Sequence, residues 1–409
     1  MKLVSSLKAP AVLAVSLLIS AAASAMSAKP PADPIADFQN SWAGKALAQQ
    51  RNLDVNSPMI DNNILGSHNT YNSEVYRNAF RYIDPQQKHS IYDQLRLGAR
   101  FIELDAHWTA HTHGAPWNWG TDLLLCHSGI GKSMGDLHVG CSLTDRFVKD
   151  GVQEVGNWLN EHPEEVVILY FEDHTDGHHQ ELLNILNDKL AGKIYESNGC
   201  KSIPDSLTKA QVRGAGKQVV LWKDGGCSSN SAMSQLAFTG LGNVNRIWED
   251  RTGVGAIGAF FTGGTVDKIE SSDVTQAFKN GGNIVNLDML TYNDGRLEAG
   301  IWSWDVNEPN NSGNQDCAVQ WGNGRWDDAG CESLHYFACK AQDGSWDISR
   351  TKGTWLMGPL ACGLLGSGYQ FAVPTNSKDN EALKSIKGGV THVWLNVSDR
   401  AVEGKWLAH

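Results

Sequence analysis

Three things are scarce in this sequence, and each scarcity excludes a class of protein. No C-x-x-C pair occurs among the eight cysteines, so they read as disulfides before they read as metal ligands. Positive charge is short: 34 Lys and Arg stand against 45 Asp and Glu, a formal net charge of −11. That balance argues against nucleic-acid binding and against electrostatic adsorption to anionic lipid. Beyond the first 25 residues no apolar run is long enough to span a bilayer, so no transmembrane segment is expected. What opens the chain reads as a secretory signal, with Lys2 and Lys8, the apolar run Ala9–Ala22 and the small-residue site Ala23-Ser24-Ala25. Its removal takes the formal charge to −13 and leaves a secreted, soluble protein, expected to be a monomer, that begins at Met26.

Four short segments carry the chemistry: Leu65–Tyr71 (LGSHNTY), Gly98–His107 (GARFIELDAH), Leu123–Gly129 (LLLCHSG) and Val166–His174 (VVILYFEDH). Each reads as a strand-length apolar run that ends in acids, amides or imidazoles. Side chains alternate along a strand, so Phe101, Glu103 and Asp105 share a face, as do Leu123, Leu125 and His127, and Ile168, Tyr170 and Glu172. Reactive groups at the C-terminal ends of repeated strands suit the mouth of a parallel α/β barrel. Carboxylates two residues apart on a strand lie about 7 Å apart and repel by about 2 kcal/mol. Glu172 adds to that repulsion unless a cation joins the set. Oxygen ligands alone (Asn69, Glu103, Asp105, Glu172) favour a hard ion, calcium or magnesium.

In their order and spacing over Met59–Asp176, these segments resemble the X region of the phosphoinositide-specific phospholipase C superfamily. The matching pieces are SHNTY, G-x-R-x-I-E-L-D, C-H-S-G and E-D-H. The resemblance implies a TIM-type (βα)8-like barrel, with acid–base and phosphate-stabilising work at His68 and His127. It places the calcium ligands of the metal-dependent branch on Asn69, Glu103, Asp105 and Glu172. The metal-free bacterial branch carries arginine where this chain has Asp105, which favours the metal. Lys223 matches a family lysine that contacts phosphate or inositol, with a salt bridge at the rim as its alternative; Arg251 and Asp288 are weaker substrate-site candidates.

Along the chain, Met26–Asp54 reads as a polar lead-in with little periodicity and Met59–Leu65 as the first strand. Ser90 can cap a helix through Leu97 that Gly98 closes. A loop rich in His and Trp follows (His107, Trp108, His111, His113, Trp117, Trp119), either dipping into a lipid interface or folded over the mouth. Thr144 or Asp145 can cap a helix with the stripe Phe147, Val148, Val152, Val155 and Leu159, broken near Pro163. Val166–Glu172 then reads as strand four, Leu182–Ile194 as a helix and Gln218–Lys223 as strand five. Arg246–Glu249 and Asn283–Leu290 are later strands, and the eighth is not legible. By proximity Cys126 pairs with Cys141, and Cys200 with Cys227.

From Gly300 the composition shifts to Trp, Asn, Gly and Cys. Trp302–Cys339 (WSWDVNEPNN…QDC…GRWDDAGC…YFACK) resembles the second half of a C-type lectin-like domain, and Cys362–Trp406 resembles its first half. The resemblance implies a circularly permuted α+β module over 300–409, after a barrel over 26–299, with a linker at Ala341–Gly353. It also implies the disulfides Cys317–Cys331 and Cys339–Cys362. A calcium and sugar site would fall on Glu308, Asn310, Gln315, Asp327 and Asp328. Gln315 stands where an acid is usual and Asp327 where Asn is usual.

The expected function is a calcium-dependent phosphodiesterase that cleaves phosphatidylinositol-type lipids at a membrane surface. Glu103 or Glu172 would serve as base on the inositol 2-hydroxyl, His68 would stabilise the phosphorane charge and His127 would protonate the leaving oxygen. One alternative is a phospholipase D-like or sphingomyelin-cleaving enzyme, although HNTY rather than HRG favours the first reading. Another is a non-catalytic glycan- or lipid-binding protein.

Overall fold

The computed structural model describes residues 32–76, 85–113, 117–127, 133–134, 137–138, 140–224, 230–239, 244–249, 265–266 and 268–409. The signal segment, Cys227 and Arg251 lie outside the described residues. Eight parallel strands form one curled sheet. In spatial order they are Thr265–Val266, Arg246–Glu249, Ile284–Leu287, Ile64–Ser67, Phe101–Thr112, Val167–His174, Val219–Lys223 and Phe238–Thr239. The strand number is that of the expected barrel. Among the described residues the two end strands do not pair with each other, and the described sheet is a curled half-barrel.

Leu123–Leu125 does not belong to a parallel barrel strand. Phe101–Thr112 runs for twelve residues, and its outer half pairs antiparallel with Trp119–Leu125 in a hairpin of the same sheet. Val167–His174 is therefore the third parallel strand and Val219–Lys223 the fourth, not the fourth and fifth. The His- and Trp-rich segment is this hairpin rather than a loop. His107 and His111 are buried in it, Trp108 stacks on His178 at 3.7 Å, and Trp117 and Trp119 stand exposed at its end.

Several local expectations change for local reasons. Met59–Asp61 is a 3₁₀ turn, and the first strand starts at Ile64. The lead-in holds two helices, Pro34–Asn40 and Trp42–Leu53; Ser41 caps the second by accepting from the Gly44 amide. Its buried stripe (Ala43, Ala46, Leu47, Gln50, Leu53) keeps helical spacing with residues too small or polar to announce it. Thr144 and Asp145 do not cap the next helix. Arg146–Phe147 first bridges to Leu124–Leu125, and the helix runs Val148–Glu161 on the predicted stripe from Val148 to Leu159. Ser90 caps Ile91–Arg96 as expected, and Gly98 follows at φ +110°.

The C-terminal part folds as one seven-stranded sheet. Val393–Ser398, from the segment resembling a first half, lies between Cys317–Gln320 and Tyr336–Lys340 from the other. Cys317–Cys331 and Cys339–Cys362 are bonded, the latter joining the two segments. Ala341–Gly353 is more than a linker, since Trp346–Ile348 pairs with Tyr336–Lys340. Buried Trp302, Trp304, Trp326 and Trp406 pack into the same core as the barrel helices. Gln50 ties the parts by donating to the Gly300 carbonyl (2.9 Å) and accepting from the Trp302 amide (3.2 Å).

Candidate active site

The inward face of Phe101–Thr112 carries Phe101, Glu103, Asp105 and His107 in sequence. Opposite them on Val167–His174 stand Ile168, Tyr170, Glu172 and His174. Residues in register on parallel strands share a face, so Asp105 and Glu172 are neighbours, as strand alternation predicted. Burial, then the charges of Glu172 and Glu103, push the Asp105 carboxyl well above its usual range, and it shares a hydrogen bond with Glu172. Tyr71 donates to Asp105 Oδ2 at 2.7 Å and holds it against this wall.

His68 follows directly on the first strand and is buried. Its Nδ1 meets Asp288 Oδ1 at 2.9 Å, just past the last strand. Asp288 is thus an orienting partner for His68. It is held in turn from below. Glu249, fully buried, accepts from the Asp288 amide (3.0 Å) and pairs with Arg296 Nη1 (2.5 Å), while Arg296 Nη2 donates to the Asp288 carbonyl (2.6 Å).

Asn69 Nδ2 lies 3.2 Å from His68 Nε2, which turns its Oδ1 toward the two oxygens of Asp105, at 3.0 and 3.2 Å. Oxygen against oxygen is unfavourable as it stands, and a swapped amide would relieve it. A cation between them would make the same orientation favourable. The donor set, one amide oxygen with the Asp105 and Glu172 carboxyls, is therefore that of a hard-ion site. Glu103 sits deeper. It accepts from Asn286 Nδ2 (3.0 Å) and lies 3.7 Å from Arg246 Nη1. Asn286 can reach it because its register partner is Gly66, where any Cβ would fall 2.0 Å from Asn286 Oδ1.

Strand reasoning passed over Arg246. Its guanidinium sits among Trp248, Tyr170, Phe101 and Trp222, with ring centres 4.4 to 5.7 Å away. Its Nε and Nη1 are buried without a hydrogen-bond partner. Such a cation is stabilised by the ring faces and keeps donors for a ligand. The signal was the two-residue spacing of Arg246 and Trp248 on a strand that had been read correctly.

His127 lies two residues past Leu125, half-buried, close enough to His107 for their charges to interact. Lys223 does not join this face. It is in register with the outward Phe171, its Nζ is 2.8 Å from Asp173 Oδ2, and it takes the salt-bridge role weighed as its alternative. Cys126–Cys141 is bonded, and Cys200 is disulfide-bonded within the chain.

In the C-terminal unit the carboxylates of Glu308, Asp327 and Asp328 gather within 4.8 Å of one another. Burial, then Asp328 and Asp327, push the Glu308 carboxyl up to about 8. Glu308 Oε2 and Gln315 Oε1 are buried acceptors without a donor. Asp328 is occupied by the amides of Asn310 (3.0 Å) and Asn311 (2.6 Å), and Asn310 itself donates to Glu308 Oε1 (2.8 Å). The free acceptors and crowded acids fit a calcium ion.

Residues 31–243 match the family described as the Rv2075c PI-PLC-like domain, and residues 277–341 match the C-type lectin domain. An uncharacterized Mycobacterium tuberculosis protein, Rv2075c, is 26% identical over 404 residues, covering 88% of this chain and 80% of its own. Among solved structures, the phosphatidylinositol-specific phospholipase C from Listeria monocytogenes is 17% identical. That match covers 62% of this chain and 98% of that one, at a TM-score of 0.35. A calcium-dependent phosphoinositol-specific phospholipase C from a Pseudomonas species is 15% identical, over 60% and 92% of the two chains, at a TM-score of 0.34. The chain belongs to the Rv2075c PI-PLC-like domain family and carries a C-type lectin domain in its C-terminal part.

Proposed function

We propose that the protein is a secreted, calcium-dependent phosphodiesterase that cleaves phosphatidylinositol-type lipids by the phospholipase C reaction. The observation that carries this is the convergence of the Asp288-oriented His68 with Asn69, Asp105 and Glu172 at one end of the parallel sheet. Asn69, Asp105 and Glu172, with Glu103 behind them, would hold the ion. A divalent cation there supplies positive charge to the phosphate and acidifies the inositol 2-hydroxyl.

The chain's own groups do the rest. Asp288 holds Nδ1 of His68, and Nε2, 3.2 Å from Asn69 Nδ2, is the nitrogen left toward the site, where His68 stabilises charge building on phosphorus. Glu172 or Glu103 accepts the 2-hydroxyl proton. His127 protonates the diacylglycerol oxygen as it leaves. Arg246, with its unused donors and aromatic walls, reads the headgroup beside Glu103. The exposed Trp117 and Trp119 suit the bilayer interface, where indole rings are favoured. A panel of phosphatidylinositol, sphingomyelin and lysophospholipid vesicles, read by release of the water-soluble headgroup product, tests this. Turnover is expected on phosphatidylinositol. Preference for sphingomyelin would favour the second enzymatic reading, and no turnover on any lipid a binding protein.

The C-terminal module supports a glycan-binding role, because Glu308, Gln315 and Asp327 offer acceptors that a calcium ion would satisfy. On a glycan array, binding is expected with calcium and not with chelator. Equal signals under both conditions would remove the metal from this role.

A further inference from the structure

The outer end of Phe101–Thr112 and its antiparallel partner hold a cluster that the phosphodiesterase reading does not use. A ring nitrogen of His107 and the two sulfurs of Cys126 and Cys141 lie within 4.8 Å of one another. His107 is 1% exposed. Its Nδ1 faces His138 Nδ1 at 2.7 Å, and His138 Nε2 is held by Asp176 Oδ2 at 2.9 Å. The remaining nitrogen, Nε2, is buried without a partner. An imidazole fixed on one nitrogen by a histidine–carboxylate chain, with the other left free, is the arrangement that orients metal-ligating histidines. Among the described residues, neither Cys317–Cys331 nor Cys339–Cys362 gathers a third ligand in this way.

We infer that reduction of Cys126–Cys141 opens a Cys2His site for a borderline-soft divalent ion of the zinc class, with His107 Nε2 as third ligand and a fourth position open. With a phosphine as reductant the step balances. The sulfur–sulfur bond breaks, phosphorus is oxidised to the phosphine oxide with oxygen from water, and the two hydrogens of that water end on the two thiols. One metal ion then displaces both thiol protons and binds two thiolates and a neutral imidazole. Because oxidation consumes both sulfur ligands, the site exists in the reduced protein and is absent in the oxidised one.

The test titrates the whole protein with Co²⁺, a coloured stand-in for zinc, before and after phosphine reduction. The reduced protein is expected to take up one Co²⁺ with thiolate-to-metal charge-transfer absorption that Zn²⁺ abolishes, and the oxidised protein to show none. Cys126→Ser with Cys141→Ser is expected to remove the band under reduction, Cys317→Ser with Cys331→Ser to keep it, and His107→Ala to weaken Co²⁺ binding by about tenfold or more. Should the serine pair fail to fold, Cys126→Ala with Cys141→Ala takes its place, with the same expected loss of the band. Absence of the band after reduction overturns the inference, as does a band that survives loss of Cys126 and Cys141.

Discussion

His127→Ala is expected to lower the rate of phosphatidylinositol cleavage by about 10²–10⁴-fold, the range that a positioned general acid contributes. The change should leave the thermal unfolding curve little moved, because His127 is half-buried and lies just past a strand end. A synthetic substrate with a good leaving group, which needs no protonation, should lose far less. If the variant cuts both substrates at the parental rate, His127 has no part in the chemistry. Asp288→Asn should act through His68 instead, since an amide at Asp288 no longer anchors the Nδ1 proton.

Glu249→Ala is expected to destabilise the fold by about 3–5 kcal/mol, as removal of one partner of a buried ion pair does. The carboxylate is fully buried and receives Arg296 Nη1 and the amides of Asp288 and Ile269. All three donors would lose their acceptor, and Arg296 would keep Asp294 as its remaining carboxylate. Urea unfolding measures the loss as a fall in midpoint at unchanged slope. Activity should fall as well, because Asp288 is placed by this pair through its amide and carbonyl. A midpoint shift worth less than about 1 kcal/mol would contradict the reading.

The site was legible where chemistry followed local periodicity. Glu103 and Asp105 fall on one face because strands alternate, and Glu172 joins them through the register of the neighbouring strand. The disulfides of the C-terminal module were legible through the resemblance, and the structure forms both. Parity failed in Val219–Lys223, which is buried on both faces, as strands of a covered parallel sheet are. With no polar alternation to read, nothing local showed that Lys223 faces Asp173 and not the mouth. Strand direction was equally hidden. Trp119–Leu125 has the composition of a barrel strand, and its antiparallel pairing depends on the length of Phe101–Thr112, a property of the assembled sheet. Asn286 and Arg246 escaped because their roles exist through long-range contacts with Glu103.

The central claim is that side-chain oxygens of neighbouring strands meet around one divalent ion beside His68. Phosphatidylinositol turnover in strong chelator, with calcium then added back, tests it most directly. The account predicts that chelation abolishes turnover, that micromolar to millimolar calcium restores it, about the range spanned by calcium sensors and extracellular modules, and that Asp105→Asn shifts the restoring concentration upward. Undiminished turnover in chelator would contradict it.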